Sequence, residues 1–157
     1  MQVNITLTGK TEQNYLPDAI EYYVKKIKHY IPVNIHEIPD IKGSKNITAD
    51  QLKEKESEVQ LKKIEPKEFL ILLDEKGSEL SSREFADFLQ QKMNSGIKSI
   101  HFLAGGPFGF SDKLYERANY KLSLSKMTFS HQMVRLFFIE QLYRALSIIR
   151  NEKYHHD

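Results

Sequence analysis

The stretch IHFLAGGPFG, residues 100–109, decides both the fold and the place of the functional site. Its first half is apolar apart from one His, which is typical of a buried strand, and that strand ends at paired glycines. Open α/β sheets bind their ligands beyond the carboxyl ends of their strands, and glycine leaves backbone N–H and C=O groups accessible there. We therefore expect the active site at the end of this strand.

A second stretch, LSLSKMTFSH at residues 122–131, has small and hydroxylated side chains and a single Lys. Such a segment can reach a neighbouring crevice as irregular backbone and offer further N–H and C=O groups. The glycines match neither G-x-G-x-x-G nor G-x-x-x-x-G-K-[ST], so a phosphate-binding loop is not indicated. The two loops favour a neutral or cationic nucleoside ligand, held without a metal cation.

Four short apolar or β-branched runs predict strands, and helical spacings of apolar residues lie between them. This alternation predicts an α/β fold with a mainly parallel sheet and helices on both of its faces. The predicted strands are 3–8, 33–38, 69–73 and 98–103, and the predicted helices are 14–30, 50–63, 82–93 and 132–150.

The last predicted helix is apolar around nearly its whole circumference, which does not suit the surface of a small monomer. One face would pack on the sheet and the other on a partner subunit. A central core helix that its own chain surrounds is the alternative.

Length and composition exclude several classes of protein. At 157 residues the chain has the length of one domain, 1–157, with enough residues for a real core. It contains no Cys, which excludes disulfides, thiolate metal sites and a Cys nucleophile. The start MQVNITLTGK lacks the pattern of a signal peptide, and no apolar run approaches the roughly 20 residues of a membrane span. We expect a soluble cytoplasmic protein.

The formal net charge of +2 is unevenly distributed along the chain. Residues 1–111 carry 15 Lys and Arg against 16 Asp and Glu, whereas residues 112–157 carry 8 against 5. The positive end also contains both the second stretch and the last helix. A local positive excess favours a polyanionic partner, although solvated helix faces explain the same charges equally well.

Further motifs occur in a fixed order along the whole chain, and together with the two stretches above they resemble the RlmH family of SPOUT methyltransferases. That family methylates the N3 position of a pseudouridine in large-subunit ribosomal RNA. The motifs are GK at 9–10, EIPD at 37–40, LDEKG at 73–77, HQMVR at 131–135, EQLYRA at 140–145 and YHH at 154–156.

The resemblance implies a sheet with a deep carboxyl-terminal trefoil knot, S-adenosylmethionine bound in that knot, a homodimer, and the ribosome as substrate. It implies no metal and no membrane. The residues that match the family's cofactor site are Leu73, Gly105, Gly106, Leu124, Ser125, Lys126, Met127, Thr128 and Phe129. On this interpretation the two glycines admit the cofactor where any Cβ would collide with it.

The resemblance also implies residues for catalysis and for RNA. His131 would orient the target ring or accept its proton, with capping of the loop as the alternative. The remaining residues would bind phosphate, steady the developing anion or stack on an unpaired base. Catalytic roles fall to His131, Arg135, Tyr154 and His155, and RNA-binding roles to Arg144 and His156, with pairing to Glu140 as the alternative for Arg144.

Two other functions remain open: an RNA-binding module of the same fold without catalysis, and a nucleotide-binding regulatory domain. Another RNA, such as tRNA, is an alternative substrate. Phe108 stands where the family often has a polar residue, so the contacts at that turn are not carried over. The tail cluster His155, His156 and Asp157 is a poor metal site because no scaffold holds it.

Overall fold

The sheet has five strands, and every neighbouring pair is parallel. The computed structural model of the protein describes residues 1–12 and 14–155. The strands are β1 (Gln2–Thr8), β2 (Val33–Ile38), β3 (Phe69–Glu79), β4 (Ser99–Ala104) and β5 (Tyr120–Ser123). Their order across the sheet is β2-β1-β4-β3-β5. This confirms the predicted α/β fold.

Helices cover both faces of the sheet. They are α1 (Leu16–Ile27), α2 (Ala49–Leu61), α3 (Ser82–Asn94), α4 (Asp112–Arg117) and α5 (Met133–Ile149), with a short 3₁₀ turn at Ser44–Asn46. The larger core joins α1, α3 and α5 to one face, and a smaller cluster joins α4 to the other, where α2 also packs. Among the described residues, no helix is both long enough and apolar enough to cross a membrane.

Local sequence explains where the helices begin. The Thr48 and Ser81 hydroxyls each accept a hydrogen bond from the backbone N–H three residues on. The side chains of Gln51 and Glu84 accept hydrogen bonds from the backbone N–H groups of Thr48 and Ser81, which completes a capping box at each helix start. The central strand β4 is buried on both faces, which explains why it appears in the sequence as a continuous apolar run.

The structure differs from the predicted elements at the edge of the sheet. The four residues of β5 were too few to reveal a strand, and β3 continues past residue 73 to Glu79 with a shift of register between Leu73 and Ser78. The extension of β3 lies very close to β5 at Gly77, where a Cβ would come within 2.6 Å of the Lys121 backbone. Only glycine permits that approach.

A polar network lies inside the face that α2 covers. His101 is completely buried, and its Nδ1 lies 2.9 Å from the Glu68 carboxylate while its Nε2 lies 2.8 Å from the Thr6 hydroxyl. Asn4 and Ser99 also donate to Glu68. Burial lowers the pKa of His101, and the hydrogen bonds that Glu68 accepts hold the pKa of that carboxyl below its usual value despite its burial.

Candidate functional site

A cavity of about 520 Å³ lies at the carboxyl ends of β4, β3 and β5. These three strands are neighbours in the sheet, so the segments that follow them meet at one edge. The size is within the range of small-molecule sites. The cavity lies where the first stretch predicted it, and its walls are residues 73–76, 104–110 and 122–125 with Tyr115, 127–131 and Val134.

The paired glycines line the cavity, but their missing side chains leave room for protein atoms. A Cβ on Gly105 would come within 2.9 Å of the Phe110 ring, and one on Gly106 would lie 2.8 Å from both carboxylate oxygens of Glu56. These contacts give a reason for glycine within the protein itself, and the predicted collision of a Cβ with the ligand stays a prediction. Glycine is required because Phe110 and Glu56 pack directly against the backbone of the loop.

The β3 side of the cavity combines an apolar wall with one carboxylate. Leu73 is buried and lines the wall, as expected for a surface that holds a planar base. The next residue, Asp74, accepts a hydrogen bond from the Tyr115 hydroxyl at 2.5 Å and another from the Lys76 backbone. Burial and the contact with Asp74 raise the pKa of Tyr115, so this hydroxyl remains a donor at neutral pH.

The loop 124–131 forms the opposite wall. The Ser125 hydroxyl accepts a hydrogen bond from the Met127 backbone at 2.9 Å, and its carbonyl accepts one from Ser123 at 3.0 Å, so the loop is braced internally. Of the nine residues predicted to hold a cofactor, eight line the cavity. The exception is Lys126, which is exposed to solvent outside it.

The first turn of α5 joins this loop to the end of β1. His131 is exposed and lines the cavity, and its position near a substrate stays a prediction. Arg135, predicted to contact RNA or the target ring, is only 1% exposed. Its guanidinium donates to the carbonyls of Thr8 at 2.6 Å and Gly9 at 3.0 Å and to the Thr11 hydroxyl at 2.8 Å. The structure thus places Arg135 where it positions loops and cannot touch a ligand in the cavity.

Three other residues predicted to act on the RNA, Arg144, Tyr154 and His155, lie in the second half of α5 and just beyond its end. Tyr154 packs on Tyr143 with ring centroids 4.6 Å apart, and the Arg144 guanidinium lies 4.7 Å from the Tyr154 ring centroid. Arg144 also pairs with Glu140 at 2.5 Å, the alternative expected from the sequence. The Tyr154 hydroxyl also donates to Glu140 at 3.1 Å, so the chain folds back along α5 after its end, and neither Tyr154 nor Arg144 lines the cavity of the same chain. His155 follows Tyr154 there, and His156 lies outside the described residues.

Sequence reasoning missed the acidic residues of the site. Asp74 was hidden inside the LDEKG motif, and Glu56 inside a helix that looked uniformly charged. The available signal for Glu56 was its spacing, because it lies four residues after Leu52 and four before Gln60, and all three are buried. Burial, with a contribution from Asp40, raises the pKa of Glu56 to about 7.

Comparison with known proteins identifies the family of the chain. A family model described as "Predicted SPOUT methyltransferase" matches residues 1–155. The chain is 50% identical over 157 residues, all of both chains, to the "Ribosomal RNA large subunit methyltransferase H" of Parabacteroides distasonis. It is 53% identical over 156 residues, 99% of both chains, to the protein of the same name from Flavobacterium psychrophilum. These matches show that the chain belongs to the SPOUT methyltransferase family.

Proposed function

We propose that this protein methylates the N3 position of a pseudouridine in 23S ribosomal RNA, with S-adenosylmethionine as the methyl donor and the assembled ribosome as substrate. One observation carries the proposal: two loops of the predicted cofactor site form the opposite walls of a single cavity at the carboxyl edge of the sheet. Full-length relatives named as large-subunit ribosomal RNA methyltransferases support the choice of substrate.

The residues of the cavity suit the proposed donor. When bound, S-adenosylmethionine supplies an electrophilic methyl group. Leu73, Leu122 and Leu124 offer an apolar surface for adenine, while the irregular backbone of 124–129 and 105–106 offers hydrogen-bonding groups. Asp74 adds a carboxylate, which suits a ligand that carries hydroxyls or positive charge.

Methyl transfer to a ring nitrogen also requires position and the loss of the imide proton. Holding two reactants in line is worth about 7 to 11 kcal/mol, and the walls of the cavity supply that restraint. His131 at the cavity is the group that we assign to orient the target ring or accept its proton. Arg135 acts behind it, because its Nε donates to the His131 carbonyl at 3.2 Å.

The protein acts as a homodimer in this proposal. Phe137 is 39% exposed and Met127 is 76% exposed, and the Phe137 ring lies 4.8 Å from Phe129 on a cavity loop. A second copy on this apolar surface would cover the open side of α5. Arg144, Tyr154 and His155 do not line their own cavity, and a second copy is the means by which these residues would meet a bound nucleotide.

An enzyme of ribosomes works in the cytoplasm, and we interpret 1–157 as one domain. Titration calorimetry with S-adenosylmethionine and methylation of ribosomes with tritiated donor test the proposal directly. We expect micromolar binding in the presence of EDTA and label in 23S RNA, and mass spectrometry of that RNA would locate the methyl group. Absence of binding by the folded protein would contradict the proposed function.

A further inference from the structure

Glu56 is a buried ionisable residue that the proposed reaction does not yet use. It lies on α2, is only 6% exposed, and packs against the backbone of Gly106. Both of its carboxylate oxygens lie 2.8 Å from the position of a Gly106 Cβ. Gly106 itself lines the cavity, so a single residue without a side chain separates this carboxylate from the ligand site.

The surroundings of Glu56 leave its charge uncompensated. Within residues 1–12 and 14–155, burial and the charge of Asp40 act on the Glu56 carboxylate, and no hydrogen bond offsets them. The nearby charged groups of α2 and α4 are engaged elsewhere, since Lys53 pairs with Asp50 and Lys113 pairs with Glu54.

On the β1 and β2 side, the neighbours add no free cation to Glu56. Asp40 repels its charge, and the Arg135 guanidinium beyond Gly9 is occupied by backbone carbonyls and the Thr11 hydroxyl. A carboxylate buried in this way is ionised only at a cost, and a positive charge placed nearby reduces that cost. A ligand without charge has no such effect.

We propose that Glu56 is a specificity-determining residue of the methyl-donor site, where it favours a cationic sulfonium ligand over the neutral thioether that remains after methyl transfer. The inference rests on the proposed function, because it takes the donor and its product as the ligands. The consequence is that the enzyme releases its product more readily than its donor. Glu56 acts through the field behind the glycine loop and does not touch the ligand.

The competing source of negative charge is Asp74. Its carboxylate lines the cavity, but it is partly exposed to solvent and lies beside Lys76. Solvent screens its field more strongly than that of a buried group. If Asp74 alone distinguished the two ligands, removal of the Glu56 charge would leave the discrimination unchanged.

The test is titration calorimetry of the full chain with S-adenosylmethionine and with S-adenosylhomocysteine at about pH 6 and about pH 8, on either side of the Glu56 pKa of about 7. The variant is Glu56→Gln, which keeps the shape and removes the charge. The matched control is Glu54→Gln, on the same helix but half-exposed and paired with Lys113. The ionisation of each free ligand affects the parent and both variants equally, so it cancels when the three proteins are compared.

In the parent protein and in Glu54→Gln, we expect the preference for the donor over the product to rise about fivefold between the two pH values. In Glu56→Gln that rise disappears, and the preference at the higher pH falls by about the same factor. Equal preferences in parent and variant, with both ligands bound, would overturn this inference and leave the proposed function standing. No binding of either ligand by the folded parent would overturn both.

A second measurement decides the question if Glu56→Gln does not fold. Carbon-13 NMR of the parent follows the Glu56 carboxyl through its titration with each ligand present. The donor is expected to lower the pKa of Glu56 and the product to leave it where it is in the free protein. The same pKa with either ligand would overturn the inference.

Discussion

At the scale of single residues, the glycine loop is determined by what packs behind it. Gly105 and Gly106 do not adopt left-handed backbone angles, so conformational freedom is not the reason for glycine at these positions. The reason is space, since Phe110 and Glu56 occupy the volume of a side chain. A side chain introduced at Gly105 or Gly106 would therefore push on Phe110 or Glu56 and so shift the loop that lines the cavity.

Gly106→Ala is expected to weaken binding of S-adenosylmethionine about tenfold, or ~1.4 kcal/mol, because its Cβ would displace the Glu56 carboxylate or the loop. The measurement is calorimetric titration after circular dichroism has shown an intact fold. The control is a double-mutant cycle with Glu56→Ala, in which the alanine at 106 should cost little once the carboxylate is gone. Equal losses in both backgrounds would contradict this account.

His101→Ala is expected to lower the free energy of unfolding by about 3 kcal/mol, because it leaves the buried Glu68 carboxylate and the Thr6 hydroxyl without their partner. Urea denaturation measures the change. The control is His36→Ala, an exposed residue of β2, with an expected change within about 0.5 kcal/mol.

The buried pair of His101 and Glu68 makes the protein less stable at lower pH. Because the folded-state pKa of His101 lies below its ordinary value of 6.5, the unfolded chain binds more protons, and stability falls as the pH drops below 6.5. The pKa of Glu68 is also lowered in the folded state, so stability decreases a second time as the pH drops below 4.5. His101→Ala should lack the first decrease in urea denaturation, and persistence of it would assign that decrease to another group.

At the scale of elements, the start of α5 anchors two loops at once. Arg135 binds the carbonyls of residues 8 and 9, and the Gln132 amide donates to the Lys10 carbonyl at 2.8 Å. The cavity loop 124–131 leads directly into this turn. The end of β1 and the wall of the cavity are therefore held by the same two side chains.

Arg135→Met should destabilise the protein by about 3 to 5 kcal/mol, because it removes the donors of buried carbonyls. Hydrogen exchange should accelerate in residues 8–12 and 131–134 before the rest of the chain. Arg150→Met, at the exposed end of the same helix, serves as the control and should change stability by at most about 0.5 kcal/mol. Uniform acceleration across the sheet would show that Arg135 supports the whole fold equally.

Removal of the tail from Tyr154 onward should leave the affinity for S-adenosylmethionine within about twofold but reduce methyl transfer to ribosomes by at least about tenfold, since stacking on a base contributes about 1 to 3 kcal/mol. Tyr154 packs on Tyr143 and Arg144 of α5 and does not line its own cavity. Tritium incorporation measures the transfer, and Tyr154→Phe, which keeps the ring but loses the hydrogen bond to Glu140, is the control. Full activity of the truncated protein would refute the role of the tail.

At the scale of the whole molecule, the chain exposes apolar rings next to its cavity. Phe129 and Phe137 contact each other at this surface, and Met127 projects beside them. The predicted partner-facing side of α5 thus remains partly open in a single chain. A second copy would bury it and enclose the site.

Phe137→Glu is expected to convert the proposed dimer to a monomer at micromolar concentration, because it places a charge in the apolar contact. Light scattering measures the mass. Lys55→Glu, an exposed change on α2 across the sheet, is the control and should leave the mass unchanged. A monomeric parent protein would contradict the proposed dimer itself.

The sequence by itself determined the class of fold and the edge of the sheet where the site lies. Hydrophobic periodicity is a local pattern that can be recognised within a short window of sequence. It therefore predicted the apolar run of β4 and the helical spacing in α1, α3 and α5. The two stretches around the cavity were found for the same reason. Short β5 was missed because four residues carry too little periodicity against their surroundings.

Only the tertiary structure decided which polar side chains meet. Glu56 reaches Gly106 because α2 packs against β1 and α4, and Arg135 is buried because α5 begins against the end of β1. Tyr154 and His131 both match family motifs, yet His131 lines the cavity whereas Tyr154 folds back onto Glu140 and Tyr143 of α5. The sequence alone does not distinguish a buried charged residue from an exposed one. The role of each depends on its burial and on partners from segments distant in sequence.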